Sequence, residues 1–210
     1  DWRGSLFGKP DWADRPSSFN PSIAINRDLH TPGSFFKYND VRVNMLALSL
    51  LHTWGAPLDD ILKQRIMGPI GASDEWRWHG YEDSWVEIGT QSLHSLSGGA
   101  HWGGGLFISS LDHARYGYLF LRDGLWEGRQ LISKDWIDKA TTASAANKNY
   151  GYMWWLNTDN RVIRNAPETA YYASGAGGNS IWIDSVNDLL IVLRWVPRMD
   201  LVVTAITAAI

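Results

Sequence analysis

Two short segments place donating or proton-carrying groups where the backbone changes direction. Tyr38-Asn39-Asp40 lies where an irregular stretch meets a helix start, and Ala173-Ser174-Gly175-Ala176-Gly177-Gly178 lies where a strand is expected to begin. A phenol, with an ordinary pKa of about 10, serves in proton transfer when neighbouring cations depress it. Glycine, lacking a Cβ, lets a ligand approach the backbone closely, although a tight turn wants glycine for the same reason. Other chemistries are excluded by residue type and spacing. The six His residues, at 30, 52, 79, 94, 101 and 113, show no His-Glu-x-x-His pattern and no helical i, i+4 pair, so no metal centre is expected. Gly103-Gly104-Gly105 and the glycines at 175–178 lack the Lys-Ser/Thr of a phosphate-binding loop, and no Gly-x-Ser-x-Gly elbow occurs. The absence of Cys removes disulfides, thiolate ligands and a Cys nucleophile. No cofactor is expected.

These segments need a scaffold, and 210 residues with 45% hydrophobic and 20% charged content provide one folded domain. The formal charge of -3, without a run of like charges, offers no footprint for nucleic acid. No stretch reaches the ~18 apolar residues of a membrane helix. The start, Asp1-Trp2-Arg3-Gly4, reads as cut from something longer. The compartment stays open between periplasm, exterior and cytoplasm, since exported proteins also lack Cys. The 13 Trp residues suit cores, interfaces and pockets alike.

Along the chain, residues 1–37 read as an irregular, Pro-containing lead-in. Val41, Met45, Leu48, Leu51 and His52 build one apolar helix face from Asp40, closed by Gly55. A second helix is expected over 58–67, ending before Gly68-Pro69. Residues 72–108 read as loops and short strands, with Trp76-Arg77-Trp78-His79 as an aromatic rim or a cation-stacked patch. Ser109 and Asp112 form a capping box for a helix stopped by Gly124, and Asp112 with Arg115 reads as a structural ion pair. Ser133 caps another helix to about Thr141. Strands are expected at 150–157, 179–184 and 189–196, the last two joined across 185–188, with a helix from Met199 to Ile210. Residues 1–149 are thus mainly loops and helices, and 150–210 a C-terminal sheet with its terminal helix, an α+β layout.

Over most of its length the sequence resembles a known superfamily. The resemblance rests on Pro32-Gly33-Ser34-Phe35-Phe36-Lys37-Tyr38-Asn39-Asp40, on Ser97-Gly98-Gly99-Ala100-His101-Trp102-Gly103-Gly104-Gly105-Leu106, and on Ser110-Leu111-Asp112-His113-Ala114-Arg115-Tyr116-Gly117. Tyr150-Gly151-Tyr152-Met153-Trp154-Trp155 and Ser174-Gly175-Ala176-Gly177-Gly178-Asn179 complete it. It points to the serine β-lactamase and penicillin-binding-protein superfamily, nearest to class C β-lactamases, DD-peptidases and related esterases and amide hydrolases. The resemblance implies a β-lactamase/transpeptidase-like α+β fold, an antiparallel sheet flanked by helices. It also implies hydrolysis of ester, amide or peptide bonds through an acyl-enzyme.

Residue by residue, the resemblance makes Tyr38 the Tyr of a Tyr-x-Asn element that shuttles protons between nucleophile and leaving group. Asp40 stands where many members have Asn. Ala173-Ser174-Gly175 falls on the Lys-Thr-Gly strand element. Ser174 keeps a hydroxyl there, while Ala173 lacks the ammonium that would pair with a penicillin-type carboxylate, which favours esters or amides without that anion. The N–H of Ala176 matches an oxyanion-hole donor, an interaction worth about 3 kcal/mol in other acyl-transfer enzymes. His101, with Trp102, lines the pocket floor or packs under the Gly103–Gly105 turn. The family nucleophile is a Ser in Ser-x-x-Lys at a helix start. Here Ser34-Phe35-Phe36-Lys37 abuts Tyr38 and reads as a turn, so the nucleophile segment is expected before Asp1, leaving this chain inactive alone. Tyr38 and Ala176 are then expected to face one void. The expected partners are the missing N-terminal segment or a second copy of the chain, pairing with exposed strand edges. A different reading is a non-catalytic module holding cell-wall peptide or glycan in the same cleft.

Overall fold

The computed structural model describes residues 30–38, 40–98 and 105–210, with the backbone alone for Asp40, Val41 and Asp83. They divide into two compact units: the described residues through Leu62 with Trp76–Phe107, and Lys63–Glu75 with Ile108–Ile210. Most of the expected lead-in, together with His101 and Trp102, lies outside the described residues.

In the first unit, α1 (Asp40–Trp54) ends where Gly55, at φ 59°, donates its N–H to the Leu51 carbonyl at 2.9 Å. Its inner face differs from the expected one. α1 is apolar around most of its circumference, so a three-and-four spacing fits more than one stripe. The partners choose: Ala47 and Leu51, with half-buried Leu48, pack with Leu58 of α2 (Leu58–Leu62), while Met45 stays exposed beside Leu46 and Leu50. Strands β1 (Arg77–Trp78), β2 (Gly80–Ile88), β3 (Gln91–Leu96) and β4 (Leu106–Phe107) pair antiparallel, β1 with β4 and β2 with β3. Leu93 and Leu96 of β3 complete the core under α1. Trp76 is buried, and the Trp78 indole N–H donates to the Ser97 carbonyl at 2.7 Å, so this segment serves the unit's interior more than a rim.

The helix expected over 58–67 keeps α geometry only to Leu62; Gly68 and Ala72 donate five residues back, to Lys63 at 2.8 Å and Met67 at 2.9 Å. Pro69 has no N–H to continue the tighter ladder. α3 (Ser110–Leu121) starts as expected, with the Ser109 hydroxyl accepting from the Asp112 N–H at 3.0 Å. Next come the hairpin β5 (Leu125–Trp126) with β6 (Arg129–Gln130), and α4 (Lys134–Ala140), capped by Ser133. The strand expected over 150–157 shrinks to β7 (Trp155–Leu156). Met153 adopts φ 68°, and Gly151 and Tyr152 donate to Trp154 and Ala140, each at 2.9 Å, so the chain turns before it extends.

β8 (Tyr171–Gly175), β9 (Asn179–Asp184) and β10 (Leu189–Leu193) join β7 in an antiparallel sheet of order β10-β9-β8-β7, and α5 (Met199–Thr207) follows. Ser174 and Gly175 therefore close a strand, where one was expected to open. β10 stops at Leu193, short of Val196, because Trp195 turns to φ 59°. β9 is buried on both faces. Ile181 and Ile183 pack with Phe120, Leu121 and Tyr171 on one side, and Trp182 packs with Ile191 and Val203 on the other. Each such side chain contributes about 1.5–3 kcal/mol by burial. α3 comes close enough for this because Gly117 has no Cβ; the Ile181 and Leu190 methyls fill that space. The expected β9–β10 hairpin is closed by buried Asp184, whose Oδ1 accepts from the Val186 and Asn187 N–H groups, both at 3.1 Å.

The long connection from β7 to β8 is organised by one side chain. Asn157, 0% exposed, accepts at Oδ1 from the Val162 and Ile163 N–H groups at 3.1 and 2.9 Å. Its Nδ2 donates to the Ile163 and Pro167 carbonyls at 3.0 and 3.1 Å. Both halves of the amide are used, so a carboxylate of the same shape sets an acceptor against carbonyl oxygens. Asn157→Asp should lower stability at neutral pH by at least about 2 kcal/mol in chemical denaturation; an unchanged midpoint would remove Asn157 from this role.

Candidate active site

The direction of the β8 peptide groups follows from one hydrogen bond. Asn157 N–H donates to the Ala170 carbonyl at 2.9 Å, so residue 170 faces β7. Backbone groups alternate sides along a strand, which turns 172 and 174 to the same side and 171, 173 and 175 toward β9. The β7 ladder covers only Tyr171 and Tyr172, and among the described residues no strand continues it. The Ser174 peptide groups are left at an open edge. The Gly175 carbonyl turns toward Asn179, its partner in the register, and the trans peptide plane points the Ala176 N–H the opposite way, to the open edge.

The turn beyond is held firmly. Gly177 and Gly178 adopt φ 79° and 76°, which reverses the chain into β9. The Asn179 side-chain amide donates to the Ala176 carbonyl at 2.8 Å, fixing the peptide that follows the Ala176 N–H. The Trp195 ring lies where a Cβ on Gly177 would sit, and Val196 N–H donates to the Gly178 carbonyl at 3.0 Å. Ser174, Gly175 and Ala176 are exposed. Ser174 faces the α5 side of the sheet directly opposite Ser180, while Ala173 packs on the α3 side. The sequence named the three exposed residues and carried Asn179 in the same motif without giving it a role, but gave no sign of Trp195 beside them.

The other candidates lie in the first unit or outside the described residues. Tyr38 lies before α1 in a stretch without regular secondary structure and is 55% exposed. Asp40 opens α1, and its side chain lies outside the described residues, as does His101. Ser34 sits in a turn, its N–H and hydroxyl both donating to the Thr31 carbonyl, at 3.0 and 2.8 Å. No helix begins there. Asn44, one turn into α1, accepts the Gly98 N–H at 2.8 Å, which ties the start of the Gly-rich 98–105 stretch to the helix that follows Tyr38. Tyr38 thus belongs to one unit and the Ser174–Ala176 edge to the other. Among the described residues no three His, Asp or Glu side chains converge as metal ligands, and no helix is long and apolar enough to cross a membrane.

The protein-family model for Beta-lactamase matches residues 17–196. The chain belongs to the beta-lactamase family. Its α+β fold is shared with solved structures of that family. A protein from Bacillus anthracis assigned as a 6-aminohexanoate-dimer hydrolase aligns with TM-score 0.60 at 21% identity, over 87% of this chain and 45% of its own. One from Bacteroides dorei DSM 17855 assigned as a beta-lactamase gives TM-score 0.60 at 14% identity, over 90% and 61%. A beta-lactamase from Mycobacterium bovis gives 0.61 at 19%, over 87% and 66%. At these identities the likeness is one of fold. The chain spans about half to two thirds of the length of these structures. Comparison with the curated proteins finds no match.

Two titrating groups on α3 tie this beta-lactamase scaffold to pH. Burial and the nearby Arg194 charge push His113 down to about 4, and its Nδ1 is buried without a partner among the described residues. Burial alone would raise Asp112, but hydrogen bonds from Ser73, Ser109 and Arg115 outweigh it and hold the carboxyl below its ordinary value of 3.8. The unfolded chain therefore takes up a proton at His113 near 6.5 that the folded chain refuses until about 4, so stability falls with pH across that window. The Asp112 contribution is complete above the ordinary carboxyl range and is lost only at lower pH. Unfolding midpoints should decline from pH 6.5 to 4, and His113→Gln should flatten that decline; an identical profile in the variant would exclude His113 as its source.

Proposed function

We propose that this chain is the larger, C-terminal part of a serine hydrolase that cleaves ester, amide or peptide bonds through an acyl-enzyme. The open edge of β8, with the Ala176 N–H turned outward, carries the reading. A carbonyl oxygen that gains negative charge on nucleophilic attack needs such a fixed donor, and a backbone amide braced by its turn supplies it without reorganising. Ser174 adds an exposed hydroxyl on the same strand. In this reading a serine from a segment outside this chain attacks the carbonyl carbon, and its proton passes by way of Tyr38 to the departing alcohol or amine. Water then cleaves the acyl-serine, releasing the acid. Ala173 leaves no cation for a carboxylate-bearing lactam, so neutral esters and amides are the favoured substrates.

The placement of Ser34 supports an external nucleophile. Both of its polar groups turn back to Thr31, and it lacks a helix start that would hold a Lys partner one turn away. The missing N-terminal segment, or a second copy of the chain, is the partner proposed to complete the site.

A fluorophosphonate that reacts with activated serine should label the full-length protein and leave the 210-residue chain unlabelled; labelling at Ser34 would overturn the placement of the nucleophile. In the full-length protein Tyr38→Phe should reduce kcat by about 10²–10⁴. Unchanged turnover would remove Tyr38 from proton transfer. No labelling of either form, with calorimetric binding of cell-wall peptide or glycan, would establish the binding-module reading instead.

A further inference from the structure

Trp195 is the most exposed of the large apolar side chains described, at 75%, and it sits on backbone at φ 59°, which a bulky L-residue adopts only under constraint. The constraint is visible on both sides. Arg194 donates to the Ile108 carbonyl, and Val196 N–H donates to the Gly178 carbonyl at 3.0 Å. Between these anchors the ring lies against Gly177, in the space a Cβ there would fill, with most of its surface still in water. Nothing in core packing calls for this arrangement, since the same anchors would hold a small residue with less apolar area exposed. Backbone outliers of this kind, held by surrounding structure, gather at sites where geometry is used.

What the ring stands beside is the braced turn of the candidate active site. Gly177 follows Ala176 directly, which puts the ring within about 8 Å of the Ala176 N–H, two Cα spacings away. Residues 173–178 carry no charged side chain. We infer that Trp195 is a specificity-determining residue of this site. Its open face takes a flat aromatic or broad apolar group carried on the acyl half of an ester or amide whose carbonyl oxygen accepts from Ala176. An indole is suited to this because it offers the largest rigid apolar face of any side chain and stacks with an offset ring. The inference rests on the hydrolase reading for the bound carbonyl, and on the Trp195 geometry for the acyl group.

Two measurements on the full-length protein test it. Hydrolysis of p-nitrophenyl phenylacetate should exceed that of p-nitrophenyl acetate by about tenfold or more in kcat/KM, since apolar pockets discriminate at that level. Trp195→Ala should erase the preference, and Trp195→Phe should keep most of it. An unchanged preference in Trp195→Ala, or equal loss on both esters, overturns the inference. The second measurement needs no turnover: ¹⁹F NMR of 5-fluorotryptophan-labelled protein, with Trp195→Phe assigning the resonance, during titration with N-phenylacetylglycinamide or N-acetylglycinamide. The Trp195 signal should shift saturably with the aryl ligand alone. No shift overturns the Trp195 assignment even where both esters are cleaved, whereas a shift in a protein that cleaves neither ester supports the aryl subsite and rejects the hydrolase reading.

Discussion

A strand pairs along both edges or leaves peptide groups to water and ligands, and β8 does each along part of its length. Up to Tyr172 it is an interior strand, paired to β7 and β9; from Ala173 onward only β9 remains. That change depends on β7 being two residues long, which in turn depends on the turn at Met153 and on the loop that Asn157 gathers before β8 begins. The candidate site therefore owes its existence to a pairing that stops early. The peptide groups it exposes are ordinary; the position at which their partner ends is what distinguishes them.

Rigidity behind the edge comes from β9. With apolar side chains on both faces, it needs a helix on each side, and α3 and α5 supply them. Gly117 sets how closely α3 approaches, and Asp184 sets where β9 turns into β10. The braced turn at 176–178 stands on this doubly covered strand, so the Ala176 amide is positioned by packed core on one side and by the Asn179 and Val196 hydrogen bonds on the other. An oxyanion donor must be fixed before the charge appears, and this arrangement supplies the fixing.

The sequence made most elements legible because their signals are local. Ser109 and Ser133 capped their helices as serines do, Gly55 ended α1, and the β9–β10 hairpin followed from apolar runs around a polar turn. It misled where a residue's state depends on partners distant in sequence. The aromatic run at 150–157 has strand composition, yet carbonyl acceptors such as Ala140 and a left-handed Met153 bend it. α1 carries apolar residues around most of its girth, so periodicity could not say which stripe meets β3. For the site, Ser174-Gly175-Ala176 could be named from the family motif. Their standing at an open edge could not, because nothing in those residues encodes the length of β7. Tyr38 was legible as a residue before a helix start, and Trp195 was not, since its left-handed backbone has no signature in the letters Arg-Trp-Val-Pro.

An uncovered ladder is also a hazard, because it invites any extended chain, including a neighbour's. Along β8 the invitation is brief: its outward-facing peptide groups recur at Ser174 and Ala176, and the glycines at 175, 177 and 178 disfavour the flat, continuous pairing on which fibrils grow. The same shortness that limits self-association also limits what the edge reads to a span of a few atoms around one bond. Lengthening the gap would gain grip on longer chains and make unwanted pairing easier, so how far this edge reads and how readily it recruits another chain are set by a single structural variable.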